Sequence, residues 1–126
     1  MKLIQSYRES DNLVDWLQRF VGKVADVENY KDVTFENSWA NVSGEATVQY
    51  YKDPYSVVRI KGAADSGTNG TTVFTLPSGY RPTEKLKFVT TKLTGVIGVI
   101  TIDTDGTVDS TVGNTNGVEL NLSFRV

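Results

Sequence analysis

"VELNLSFRV", residues 118–126, puts Val118, Leu120, Leu122, Phe124 and Val126 at every second position, with Glu119, Asn121, Ser123 and Arg125 between them. Strand side chains point alternately to opposite faces, so this pattern predicts a strand with one face in a core and the other in water. Further upstream, "GVIGVITID" (residues 95–103) is apolar on both faces, with Val96, Ile100 and Ile102 on one and Ile97 and Val99 on the other. A strand inside a sheet has that pattern, and so does an edge buried against a second copy of the chain. Further strands are predicted in "ATVQYYK" (46–52), "SVVRIKG" (56–62), "TTVFTL" (71–76), "LKFVTTKL" (86–93) and "GTVDSTV" (106–112). The links between them are rich in Gly, Asn, Asp, Ser and Pro, as β-connections are. Short strands at about ten-residue spacing predict an antiparallel β-sandwich of jelly-roll type, or a small barrel, over residues 33–126.

Residues 1–32 read differently. "SDNLVDWLQRFVGKVADVENYK" has helical period, with Ser10 or Asp11 as N-cap. Leu13, Leu17, Phe20, Val24 and Val27 follow a four-three-four-three spacing, the a/d seam of a coiled coil, and Val14, Trp16 and Val21 widen it. One reading is an amphipathic helix covering its own β-domain. The other is an assembly segment in which Leu13, Trp16, Leu17, Phe20, Val24 and Val27 meet other copies.

Composition removes several function classes. The 126 residues suit one domain. There is no cysteine and no histidine, which removes disulfides, thiolate or imidazole metal sites, and catalysis through His or Cys. With 13 basic and 15 acidic residues, the chain lacks the basic excess of a nucleic-acid-binding protein. No apolar run is long enough to span a membrane, so no membrane insertion is expected. The opening "MKLIQSYRES" does not read as a signal peptide, and synthesis in the cytoplasm of the producing cell is expected.

Few motifs suggest chemistry. "DTDGTVD" (103–109) alternates carboxylates, but its glycine comes too early for an EF-hand and no acidic residue closes the loop. It reads as a hairpin turn, and no metal or cofactor is expected. Without His or Cys only paired carboxylates could serve acid–base catalysis, and the aspartates fall in predicted turns, so the chain is not expected to be an enzyme. The aromatics say more. Trp39, Tyr50, Tyr51, Tyr55 and Tyr80 lie at strand ends and connectors, with Asp53, Arg59 and Arg81 close in sequence. Rings that stack on C–H faces, beside charged groups that bond hydroxyls, suit saccharides. Each ring taken alone also fits a core cap with its polar atom in water. Tyr51, Asp53, Tyr55, Tyr80, Arg81 and, more weakly, Trp39 are the candidate saccharide-binding residues.

"FTLPSGYRPTEKLKF" (74–88) interrupts two strands with two prolines. Pro77 as second and Gly79 as fourth residue predict a type I turn over residues 76–79, and Pro82 forces Arg81 into an extended conformation. Tyr80 and Arg81 then stand between two stiff points, in a structural corner or a binding edge.

"VQYYKDPYSVVRIKG", "SGTNGTT", "VFTLPSGYRPTEKLKF", "GVITIDTDGTV" and "VELNLSFRV", in that order over about residues 35–126, resemble the C-terminal head domain of phage and prophage tail-fibre and baseplate proteins. The resemblance implies a β-sandwich head, usually a homotrimer, at the tail tip of a virion, contacting other tail or baseplate proteins and the host cell-wall saccharide. The N-terminal helix then resembles the segment that trimerises such proteins or docks them to the baseplate. The chain departs from long fibre proteins in having no extended shaft. The alternatives are a purely structural tail accessory protein that binds only tail proteins, and a bacterial carbohydrate-binding module or carboxylate-dependent glycosidase.

If residues 13–27 are an association seam, replacing Leu17 and Phe20 by Asp buries charges at its centre. Light scattering should then show a smaller particle whose β-structure, followed by circular dichroism, persists. A wild-type chain that is already monomeric at micromolar concentration would contradict the seam.

Overall fold

A computed structural model of the chain describes residues 28–111 and 117–126. The helix expected before residue 28, with its association residues Leu13, Trp16, Leu17, Phe20, Val24 and Val27, lies outside the described residues. Among the described residues every regular element is a strand. These are β1 (Lys31–Asp32), β2 (Ala40–Asn41), β3 (Gln49–Lys52), β4 (Val57–Lys61), β5 (Ala63–Asp65), β6 (Thr72–Thr75), β7 (Leu86–Thr91), β8 (Ile97–Ile102), β9 (Thr107–Ser110), β10 (Val118–Glu119) and β11 (Leu122–Arg125). They form three antiparallel sheets in the orders β1-β3-β4-β11, β10-β5-β2 and β6-β9-β8-β7.

The alternation seen in the sequence sets the faces. Tyr50 of β3, Val58 and Ile60 of β4 and Phe124 of β11 point inward from the first sheet. Val73 and Phe74 of β6, Ile100 and Ile102 of β8 and Val108 of β9 do so from the third. All join one cluster with Trp39, Val48, Ala64, Leu76, Val118 and Leu120. Each fully buried large side chain contributes about 1.5–3 kcal/mol relative to exposure. The consecutive Val73 and Phe74 are both buried because the β6–β9 register slips between Thr72 and Phe74. Such a bulge adds one residue to a strand and re-aims its neighbours.

The closing segment is not one strand. Val118–Glu119 pairs with β5 and Leu122–Arg125 with β4, so the chain changes sheet at Leu120–Asn121. Its partner changes sheet at the same level, between β4 and β5, through Gly62. The Leu120 amide donates to the Gly62 carbonyl at 2.8 Å, and the Gly62 amide donates to Asn121 Oδ1 at 3.1 Å. Gly62 has φ 113°, and a Cβ there would lie 2.6 Å from Val48 Cα, so both its conformation and its surroundings require glycine.

Two further expectations are corrected. Residues 28–30 are irregular and Lys31–Asp32 form a strand beside β3, so the helical reading does not extend to Lys31. The turn after β6 lies one residue later than expected. The Tyr80 amide donates to the Pro77 carbonyl at 3.1 Å, and Gly79, φ 91°, is its third residue, where a type II turn needs positive φ. For "GVIGVITID", β8 is an interior strand, flanked by β7 and β9. Its outward Ile97 nevertheless stays exposed, as do Val96 in the preceding hairpin and Val89 of β7, the last at 77%.

Lys92, just after β7, is 3% exposed, and its ammonium donates to Ser110 Oγ at 3.2 Å. Burial lowers its pKa from the usual lysine range. A group with a depressed ammonium pKa destabilises the fold when charged, and the penalty fades as pH rises through the folded and then the unfolded value. Lys92→Met should therefore raise stability at neutral pH by about 1 kcal/mol, a few degrees in Tm, and the advantage should shrink as pH approaches that of free lysine. Thermal melts from pH 7 to 10 check this, and a less stable variant throughout would contradict it.

Candidate functional site

Inward packing of Tyr50, Val58, Ile60 and Phe124 leaves the opposite side chains of the first sheet outward. Register aligns them: Tyr51 lies across from Arg59, Arg59 across from Ser123, and Gln49 across from Lys61. Just before β1, Tyr30 meets Tyr51 edge-on, with ring centres 4.6 Å apart and planes at 70°. The Lys61 ammonium sits 4.9 Å from the Tyr30 ring centre, within cation–π range. A shallow groove of about 280 Å³ runs between Tyr30, Arg59, Asn121 and Ser123, and a second hollow adjoins it at Glu28, Asn29, Tyr30 and Tyr51.

The β3–β4 hairpin forms one end of this surface. Asp53 Oδ1 accepts the amides of Tyr55 at 2.8 Å and Val57 at 3.1 Å, while Oδ2 lies 3.4 Å from Arg59 Nη2. Partial desolvation pushes the Asp53 carboxyl up, but the Val57 and Tyr55 amides and Arg59 outweigh it and leave it below the usual range. It is thus an ionised, acceptor-only group that fixes the turn. Tyr55, 65% exposed, projects from the tip.

Not all of the sequence candidates belong here. Tyr80 and Arg81 form a corner, and Tyr80 also lines a separate hollow of about 330 Å³ with Glu28, Lys52, Asp53 and Pro54. The Tyr80 hydroxyl donates to Glu28 Oε2 at 2.6 Å and accepts from Lys31 Nζ at 2.7 Å. Its ring stands edge-on to Tyr50 at 5.3 Å, with Lys52 Nζ 5.0 Å from its centre. Lys52 Nζ also donates to the Gly79 carbonyl, and the Lys52 amide to Glu28 Oε1. Arg81 turns inward, its Nε donating to the Leu76 carbonyl at 2.9 Å. Gly106 allows this: a Cβ there would lie 2.3 Å from the Leu76 oxygen and 2.8 Å from Arg81 Nε. Trp39 is 3% exposed, with its indole N–H on Thr71 Oγ1, so its ring is core and offers no stacking face.

The outer sheet therefore keeps Tyr51, Asp53 and Tyr55 and adds Tyr30, Arg59, Asn121 and Ser123. Ser123 was marked as outward by the alternation of its strand, and Arg59 was noted only for its place near the aromatics in sequence. Tyr30 was obscured because it was read as the end of a helix. At the β8–β9 turn, Asp103 accepts its neighbour Thr104, and Asp105 accepts the Thr107 amide and hydroxyl. Lys85 lies 3.3 Å from Asp103. These carboxylates shape the turn, and among the described residues no three acidic side chains gather as a cation site.

No family model and no curated protein matches the chain. Among solved structures the fold is similar to the receptor binding protein (gp15) of Listeria phage PSA, with a TM-score of 0.68 at 14% identity. The likeness covers 92% of this chain and 74% of that one.

The Glu28 cluster yields a stability prediction. Desolvation raises the Glu28 carboxyl, but hydrogen bonds from Tyr80, Lys31 and the Lys52 amide bring it below its ordinary value. A depressed carboxylate stabilises the fold above its unfolded pKa and loses that contribution as pH falls through the folded value. Tyr80→Phe should thus destabilise by about 2 kcal/mol near neutral pH, the scale of a hydrogen bond to a charged group. In melts, the gap from wild type should narrow as acid protonates Glu28. A gap independent of pH would detach Tyr80 from Glu28.

Proposed function

We propose that this chain is the head domain of a phage tail-fibre or baseplate protein, a β-sandwich of jelly-roll type that adsorbs to bacteria by binding cell-surface saccharide. In this reading it acts as a homotrimer in the virion tail, alongside other tail proteins, after synthesis in the host cytoplasm, and it performs no catalysis. The observation that carries the reading is the outward row Tyr51–Arg59–Ser123 with Tyr30 beside it and Tyr55 at its end: aromatic faces and hydrogen-bonding groups on one shallow, rigid surface. Shallow sites of this kind suit solvated sugars, whose hydroxyls already bond water and which therefore bind weakly one at a time. Three such sites on one particle multiply the effect through effective concentration. The similar solved structure is named a receptor binding protein, which agrees with this use of the fold.

A second reading, a structural tail component, is favoured by one observation. Val89, Val96 and Ile97 form an exposed apolar patch around the β7–β8 hairpin. Patches of this kind mark protein contacts. In the adsorption reading the same patch faces another copy of the chain.

Fluorescently labelled chain should decorate some members of a panel of bacterial strains, and polysaccharide recovered afterwards should be uncleaved. Tyr51→Ala and Tyr55→Ala should each reduce decoration at least tenfold while single-site affinity falls only a few-fold, because the loss repeats at each subunit. Tyr55→Ala should melt as wild type does. A chain that decorates no strain but co-purifies with tail proteins would favour the structural reading.

A further inference from the structure

We propose that the outer sheet reads an anionic saccharide, one whose sugar units carry phosphate or carboxylate, and that Arg59 is the residue that binds the anion. The inference rests on the adsorption reading and narrows its ligand class.

Arg59 occupies the middle of the outward row, between Tyr51 and Ser123, and its side chain is 48% exposed. Among the described residues its partner is Asp53, at 3.4 Å through a single nitrogen. That contact is long, and the other Asp53 oxygen is held by the Tyr55 and Val57 amides. The carboxylate is therefore committed to the hairpin, and most of the guanidinium fork stays available. A planar fork of N–H donors matches phosphate and carboxylate oxygens two at a time.

The rest of the groove points the same way. Asn121 Oδ1 accepts the Gly62 amide, which leaves its NH₂ donors for a ligand. Ser123 and Tyr30 add hydroxyls, and Lys61 holds its ammonium over the Tyr30 ring with only a 3.4 Å contact to the Thr47 carbonyl. Arg125 follows two residues after Ser123 on the same face, and it too is exposed. Among the described residues no acidic side chain lines the groove. A neutral sugar hydroxyl is both donor and acceptor, and protein sites commonly meet it with carboxylates as well as amides. Among the described residues the charged group of the lining is a donor, with hydroxyls and an amide beside it, which favours a ligand that carries acceptor-only groups. The local excess of positive charge contrasts with the chain's net charge of -2.

The test uses the full chain on three immobilised polymers with one backbone: dextran, phosphorylated dextran and carboxymethyl dextran. Wild type should bind one or both charged polymers at least tenfold more tightly than dextran, with binding that weakens as salt rises. Phosphate and carboxylate are told apart by which charged arm is tighter. Arg59→Gln should weaken that binding about 10- to 100-fold, the range for a charge-assisted bond, and Arg59→Lys should recover only part of it. Lys87→Gln, an exposed change on β7 of another sheet, controls for charge alone and should leave binding unchanged. Melts should show all three variants folded. Equal binding to the three polymers, binding to neither charged one, or equal loss in Lys87→Gln overturns the inference. If labelled wild type still decorates cells in any of those cases, the adsorption reading stands and only the anion assignment falls. If it decorates none, the adsorption reading fails too.

Discussion

The outward row Tyr51–Arg59–Ser123 is displayed because Tyr50, Val58, Ile60 and Phe124 beside it are buried. A strand offers its side chains to two faces with period two, and one core of Tyr50, Val58, Ile60, Phe124, Phe74, Ile100, Ile102 and Val108 claims one face of each contributing strand. Slipping β4 by one residue would place Arg59 in that core and Ile60 in water. An unpaired guanidinium among apolar side chains is far less favourable than the exposed isoleucine it would replace, so the register is strongly held. The row Tyr51–Arg59–Ser123 is thus a consequence of packing, and its geometry has the rigidity of the sheet, not the mobility of a loop.

The same economy explains the connector between β6 and β7. Two prolines and a tyrosine there build a corner whose Tyr80 lines a hollow with Lys52, Asp53 and Pro54. The corner is joined to the approach to β1 through the Glu28 carboxylate, which gathers the Tyr80 hydroxyl, the Lys31 ammonium and the Lys52 amide. The clamp lies beside the Tyr30–Tyr51 pair. The corner and the candidate site are held by adjacent contacts.

Much of the fold was legible because it rests on local alternation. Strands β3, β4, β6, β7, β8 and β9 fall within the segments their sequences mark. The splitting of residues 118–126 was not legible, since alternation continues unbroken from Val118 to Phe124 while the partner strand changes from β5 to β4. That switch depends on Gly62 meeting Leu120 and Asn121, a contact between residues almost sixty positions apart. The site was legible in part. Tyr51, Asp53 and Tyr55 belong to one hairpin and were found by composition. Tyr30 was missed because a tyrosine at the end of an amphipathic run looks helical until Tyr51 supplies its partner. Trp39, Tyr80 and Arg81 were grouped with the site by chemistry, but sequence cannot show which polar atoms of the same protein satisfy them.

The central claim is that one face of one sheet, and no other surface, meets the bacterial saccharide. Hydrogen exchange followed by mass spectrometry tests it most directly, on the full chain with and without wall polysaccharide from a strain that the protein decorates. Protection should rise over residues 49–61 and 121–125 and stay unchanged over β7 and β8. Protection confined to the β7–β8 hairpin, or none anywhere while polysaccharide is bound, would contradict the account.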